Sequence, residues 1–150
     1  MPRIELVRDV AAPPQRVYEI ARKVEDFPTF MEDLQSITIL ETSADGQTTL
    51  SEWVGLIRDF KMTIKWVQED RWDAQQLTDT FRMVRGDMDA MAGEWRFQPI
   101  GAGTRFVSVL EYEYNVPLIG PMIKALIRKK MEGNLAAQMQ AIKERAEQPA

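Results

Sequence analysis

Apolar positions in this chain recur at every second residue through its middle and at helical spacing near its start and over its last third. Phe60, Met62, Ile64 and Trp66 alternate with Lys61, Thr63 and Lys65, the cleanest strand signal in the sequence. Ile4, Leu6 and Val10 mark a first strand, stopped by Ala11-Ala12-Pro13-Pro14. Proline suits the first turn of a helix, where its missing N–H has no partner in any case, and Val17, Ile20, Ala21 and Val24 follow at helical spacing. That helix is predicted to end near Lys23, with a second short helical turn over 25–31. Ile37 and Ile39 open the next strand, and Asp45-Gly46 supplies the positive φ that a tight hairpin into 48–57 requires. Arg58-Asp59 is predicted to make the following turn. Strands over 76–85, 92–99 and 106–116 complete a set of seven, separated by the loop 86–91 and the turn Gly101-Ala102-Gly103. Pro117 ends the last strand, and a long amphipathic helix runs from Ile119 to about Ala146. On it Ile119, Met122, Ile123, Leu126, Ile127 and Met131 share one face, and the stripe drifts through Leu135 to Ile142.

This order, β-αα-ββββββ-α, predicts an α+β fold: a seven-stranded curved antiparallel sheet wrapped around a long C-terminal helix, with two short helices after the first strand. At 150 residues and 45% apolar content the chain fits one domain over 1–150. A curved sheet closed by one helix tends to enclose an apolar cavity, the usual form of a site for a hydrophobic small molecule.

Composition removes several chemistries. The chain has no cysteine and no histidine, so disulfides, thiolate nucleophiles, Ser-His-Asp triads and imidazole-based metal sites are excluded, and neither a metal nor a cofactor is expected. A formal charge of −4 argues against DNA or RNA binding through neutralised phosphates. No apolar run has the form of a signal peptide or a membrane span, so a cytoplasmic protein is expected. Asp87 and Asp89 lack the further ligands of a calcium loop, and Gly101-x-Gly103 precedes a strand with Phe106 where a dinucleotide fingerprint needs glycine.

Four segments together carry a resemblance. Pro13-Pro14-Gln15-Arg16-Val17-Tyr18 opens the first helix, and Val24-Glu25-Asp26-Phe27-Pro28 with Phe30 follows it. Gly93-Glu94-Trp95-Arg96-Phe97 and Gly101-Ala102-Gly103-Thr104-Arg105 precede the last strand. In order and spacing the chain resembles the START-like superfamily, also called SRPBCC or helix-grip proteins, and within it the bacterial polyketide cyclase/aromatase and coenzyme Q-binding-protein-like branch. The resemblance covers nearly the whole chain. It implies a deep cavity between sheet and C-terminal helix, used in relatives for sterols, phospholipids, polyketides or isoprenoid quinones. Fold likeness does not choose among these. Aromatase/cyclase relatives use arginine, tyrosine or serine groups in the pocket, but no family catalytic motif aligns here and no catalytic residue is assigned.

Alternation itself nominates the lining. Phe60, Met62, Ile64 and Trp66 share an inner face with Trp53, Gly55 and Ile57 of the preceding strand. Phe81 and Met83, Trp95 and Phe97, then Phe106, Ser108, Leu110, Tyr112 and Tyr114 continue it. The helix adds Met122, Ile123, Leu126 and Ile127, with Lys130 and Asn134 inside its apolar stripe. Simple core filling competes with ligand contact at each apolar position. Lys130 and Asn134 either meet a ligand carbonyl or hydroxyl beside Tyr112, or reach solvent and an internal partner respectively. Arg82 and Arg96 alternate onto the outer face, as do Glu111 and Glu113. Lys124, Arg128, Lys129 and Lys130 form a basic cluster that either is simply solvated or attracts anionic lipid headgroups in a transient membrane contact.

Three functions remain open at this point. The first is non-enzymatic binding or transport of a lipid, isoprenoid quinone or polyketide, slightly favoured by the sparse polar inventory. The second is a polyketide cyclase or aromatase that folds a poly-β-keto chain, since holding a reactive conformation needs few catalytic groups. The third, implied by the family resemblance, is a ribosome-associated, toxin-like binding protein. Oligomeric state is not legible in the sequence.

Overall fold

A computed structural model describes residues 2–57, 61–114 and 120–149. These residues form strands β1 (Arg3–Val10), β2 (Leu34–Thr42), β3 (Thr48–Ile57), β4 (Met62–Asp73), β5 (Thr78–Gly86), β6 (Ala90–Ile100) and β7 (Gly103–Glu113), with helices α1 (Pro14–Arg22) and α2 (Pro121–Glu147). A 3-10 helix, Val24–Thr29, occupies the predicted second helical turn. The predicted turn at Arg58-Asp59, together with Phe60 and Ile119, lies outside the described residues. All seven strands join one antiparallel sheet in the order β1-β7-β6-β5-β4-β3-β2, a meander from β2 to β7 with β1 added beyond β7. The expected seven-stranded curved sheet with a long C-terminal helix is therefore the fold observed.

Local chemistry explains the turns. Gly46 takes φ +73°, Ser43 N–H donates to Thr48 O at 2.8 Å, and the Asp45 carboxylate accepts from Ser43 Oγ and Gln47 N–H. Those bonds hold the Asp45 carboxyl below its ordinary range. Gly93 lies between β7 and the Phe81 ring, where an added Cβ would press on Val109 O and sit 2.7 Å from Phe81 Cζ, so a larger residue would collide with the neighbouring backbone as well as the aromatic. β4 reaches seven residues past Trp66, and a bulge leaves Val84 unpaired between Val67↔Arg85 and Gln68↔Met83. Met83 and Phe81 lie opposite inward Gln68 and Asp70, and past the bulge Gly86 comes opposite Trp66.

One end of the sheet is filled solid. Tyr18 of α1 meets Trp72 and Phe97 edge-on at 5.8 and 5.9 Å, and Phe97 stacks on Phe106 at 4.8 Å. Met139 and Ile142 of α2 close this end without exposure. Burial pushes the Tyr18 hydroxyl above its ordinary pKa, against the opposing Arg22 charge. The end of α2 is tied down by side chains from elsewhere. Arg16 donates to the carbonyls of Ala146 (2.7 Å) and Gln148 (3.0 Å), which have no partner within the helix. Lys143 Nζ donates to Asp9 O at 2.9 Å, and Ala11 N–H donates to the Glu147 carboxylate at 2.7 Å. That N–H, with Lys143, holds the Glu147 carboxyl below its ordinary range.

Candidate functional site

The other end of the interior is incompletely filled. Between β3, β4, β5, β6, β7 and α2 lies a cavity of about 110 Å³, partly open to solvent. Trp53, Ile57, Ile64, Trp66, Phe81, Trp95, Leu110 and Asn134, all singled out by alternation or by the helical stripe, stand in its wall. Trp53 and Trp66 stack at 5.6 Å with 18° between their planes. Gly55 lies beside them, and an added Cβ there would reach within 3.3 Å of the Trp66 ring. Val24, Leu34, Met88, Met91, Met131 and Leu135 extend the apolar surface.

Other nominated residues sit elsewhere. Phe97, Phe106 and Tyr112 face inward as predicted but are packed core outside the cavity wall: Phe97 and Phe106 lie at the solid end, and Tyr112 lies beyond Leu110 at the opposite end of β7, across from Met91. Met62, Met83 and Tyr114 are half-buried and pack beside the core, and they too lie outside the wall. Ile127 is buried, whereas Met122, Ile123 and Leu126 are exposed, Met122 at 83%. The buried face of α2 begins only at Ile127, so the first two turns present their apolar side chains to solvent. Lys130 is half-buried and outside the cavity wall. Asn134 Nδ2 donates to Leu56 O at 3.0 Å, so its amide hydrogen-bonds internally while still bordering the cavity. Phe60 is outside the described residues.

Burial pushes the phenols of Tyr112 and Tyr114 upward, that of Tyr114 further through Asp87 and Asp89. The loop before β6 is tied to β4. Asp87 accepts a hydrogen bond from Lys65 N–H at 2.9 Å and its own N–H donates to Lys65 O, which seats buried Met88 in the cavity wall. Outside the sheet, Arg82 pairs with Glu69 at 3.5 Å, Arg96 with Glu94 at 3.2 Å and Arg3 with Glu111 at 3.6 Å.

The wall's polar groups are few and mostly spent on one another. Trp53 Nε1 donates to Ser51 Oγ (2.8 Å) and Trp95 Nε1 to Ser108 Oγ (3.0 Å). Trp66 Nε1 donates to Gln68 Oε1 (2.7 Å), and Gln68 Nε2 to Asp70 Oδ1 (2.8 Å). Asp70 in turn shares a hydrogen bond with Asp79, diagonal to it across the β4–β5 pair. Gln68, Asp70 and Asp79 all line the cavity, and the sequence pattern nominates none of them. Asp70 is 2% exposed and Asp79 1%. Burial, then the neighbouring Asp70 charge, pushes the Asp79 carboxyl well above the ordinary carboxylate range. Burial raises Asp70 as well, opposed by the hydrogen bonds from Asp79 and Gln68. Burial and mutual repulsion oppose charging both carboxyls at once, so they titrate as a pair.

Among the described residues, no group of three or more acidic, histidine or cysteine side chains is placed to hold a metal ion, and no helix is long and apolar enough to cross a membrane. The arrangement offers an apolar, aromatic chamber with one buried acidic pair in its wall.

Comparison with known proteins converges on this geometry. A Thermus thermophilus protein of solved structure is 31% identical and superposes with a TM-score of 0.90 over 97% of both chains. The Zhui aromatase/cyclase from Streptomyces sp. R1128 is 18% identical, with a TM-score of 0.88 over 97% of this chain and 93% of that one. A START superfamily protein from Mycobacterium smegmatis shares the fold at 20% identity and a TM-score of 0.79, over 95% of this chain and 97% of that one. The actinorhodin polyketide synthase bifunctional cyclase/dehydratase of Streptomyces coelicolor is 30% identical over 98 residues, 64% of this chain and 30% of that protein. The chain therefore spans under a third of that relative's length. The family model described as polyketide cyclase/dehydrase and lipid transport matches residues 10–139, and with the sheet, the helix and the cavity in place this START-like chain belongs to that family.

Proposed function

We propose that this protein binds and transfers a hydrophobic small molecule, a lipid, isoprenoid quinone or polyketide, in the cavity between the sheet and α2. The observation that carries this reading is the wall itself: stacked and edge-on aromatics with methionines, whose indole N–H groups are already satisfied by neighbouring side chains. Such a surface gains by covering apolar area and adapts to varied shapes through Met88, Met91 and Met131. Loading from an anionic membrane surface fits the first turns of α2, where exposed Met122, Ile123 and Leu126 adjoin Lys124, Arg128 and Lys129. Native mass spectrometry of the protein isolated from its own source tests the reading. A co-purifying apolar molecule is expected, lost from a Met131→Trp variant that fills the cavity. Protein isolated empty, with no apolar probe binding afterwards, would refute it.

A second reading, a cyclase or dehydratase acting on a poly-β-keto chain, is favoured by the buried Asp70–Asp79 pair at the cavity wall and by the likeness to the actinorhodin cyclase/dehydratase. Turnover of such a chain, lost in Asp70→Asn, would replace the carrier reading with this one.

A further inference from the structure

The Asp70–Asp79 pair leaves one atom over. Asp70 Oδ1 accepts from Gln68 Nε2, and the two carboxyls bond to each other, yet Asp79 Oδ1 is buried without a hydrogen-bond partner among the described residues. It belongs to a side chain that lines the cavity. A carboxyl can place at most one of its two oxygens on a proton shared with its neighbour. Whichever aspartate owns it, the remaining Asp79 oxygen is a hydrogen-bond acceptor. An unfilled buried acceptor discriminates strongly between ligands, because only a guest with a donor relieves it.

We infer that Asp79 is the specificity-determining residue of the cavity, its free carboxyl oxygen selecting apolar ligands that carry an O–H or N–H donor over those whose polar atoms only accept. The inference rests on the ligand-binding reading above and narrows it: phenols, quinols and hydroxylated lipids or polyketides are favoured over quinones, ethers and hydrocarbons. Asp33, Asn134 and Gln138 also line the cavity with acceptor oxygens, but all three are half-buried, whereas Asp79 is buried. The indole N–H groups of Trp53, Trp66 and Trp95 are donors already engaged, so none of them offers a ligand hydroxyl an acceptor.

A matched pair of probes tests this by isothermal titration: 1-naphthol and its methyl ether, 1-methoxynaphthalene. The protein is expected to bind the naphthol roughly tenfold more tightly, about 1.4 kcal/mol. Asp79→Leu should bring the ratio to about one by weakening the naphthol alone. Asp79→Asn should retain most of the preference, since its amide N–H can donate to Asp70 and leave its oxygen as acceptor. Should Asp79→Leu fail to fold, Asp70→Asn/Asp79→Leu removes the acceptor without stranding a charge, and the same loss of preference is expected. Equal affinity for both probes in the unaltered protein, or an undiminished preference in the leucine variants, overturns the inference and leaves the ligand cavity standing. Binding of neither probe overturns the cavity reading, and this inference with it.

Discussion

The two ends of the interior are built from the same residue types to opposite effect. At one end, Phe97, Phe106, Met139 and Ile142 are sealed under the second half of α2, whose last turn is held by Arg16, Lys143 and Ala11. At the other, Trp53, Trp66, Phe81 and Met131 surround open space, and the helix above them begins with exposed apolar turns. Both ends are aromatic, so composition does not separate them. What separates them is whether α1 and the clamped helix end press side chains into the sheet. Stability is expected to reside at the clamped end and selectivity at the hollow one.

Paired truncations break that division if it is wrong. Phe106→Ala should cost about 3–5 kcal/mol in urea unfolding, as for a fully packed phenylalanine, and Phe81→Ala only about 1–2 kcal/mol, because its ring already borders empty volume. Equal losses would mean that the cavity wall is as tightly packed as the core. The next effect is set by pH. Asp79 holds its proton above the ordinary carboxylate range, so its contribution is present at acid pH, below the unfolded-state value. It is lost as pH rises through the folded-state value. The charged and titratable groups felt by the pair, Glu69 beside Asp70 and Tyr18 near Asp79, add no positive charge to reverse this. Asp79→Asn, which stays neutral, should match the parent near about pH 4 and exceed it by about 1–3 kcal/mol in alkaline buffer, the scale of an uncompensated buried polar group. Thermal melts across pH check the sign. The smallest stability effect is expected at the exposed start of α2. Lys124→Glu/Lys129→Glu should move unfolding by less than about 0.5 kcal/mol yet weaken binding to anionic vesicles by about 1 kcal/mol per charge, read by sedimentation.

Much of this is legible from periodicity. The order of elements along the chain, both helices and the inward faces of β3, β6 and β7 follow from periodicity, and most of the aromatic cavity wall is found that way. The acidic pair is not, for a physical reason. Hydrophobic alternation treats a polar residue as outward, so the pattern on β4 reads as ending at Trp66. The backbone keeps its period of two through Gln68, Asp70 and Trp72, all inward. Trp72, apolar and in register with Met62, Ile64 and Trp66, is the available signal that the face continues across two polar positions. Asp79, two residues before Phe81, carries the same signal on β5. The early part of α2 misleads in the opposite sense: an apolar stripe shows which residues share a face, not whether anything covers it.

The stacked Trp53–Trp66 pair has an optical consequence. Two indoles 5.6 Å apart and nearly parallel couple their electronic transitions, so the pair should give an exciton couplet in circular dichroism whose amplitude depends on the angle between the rings. A guest that slides against either ring would change that amplitude, giving the chamber a label-free gauge of its own occupancy.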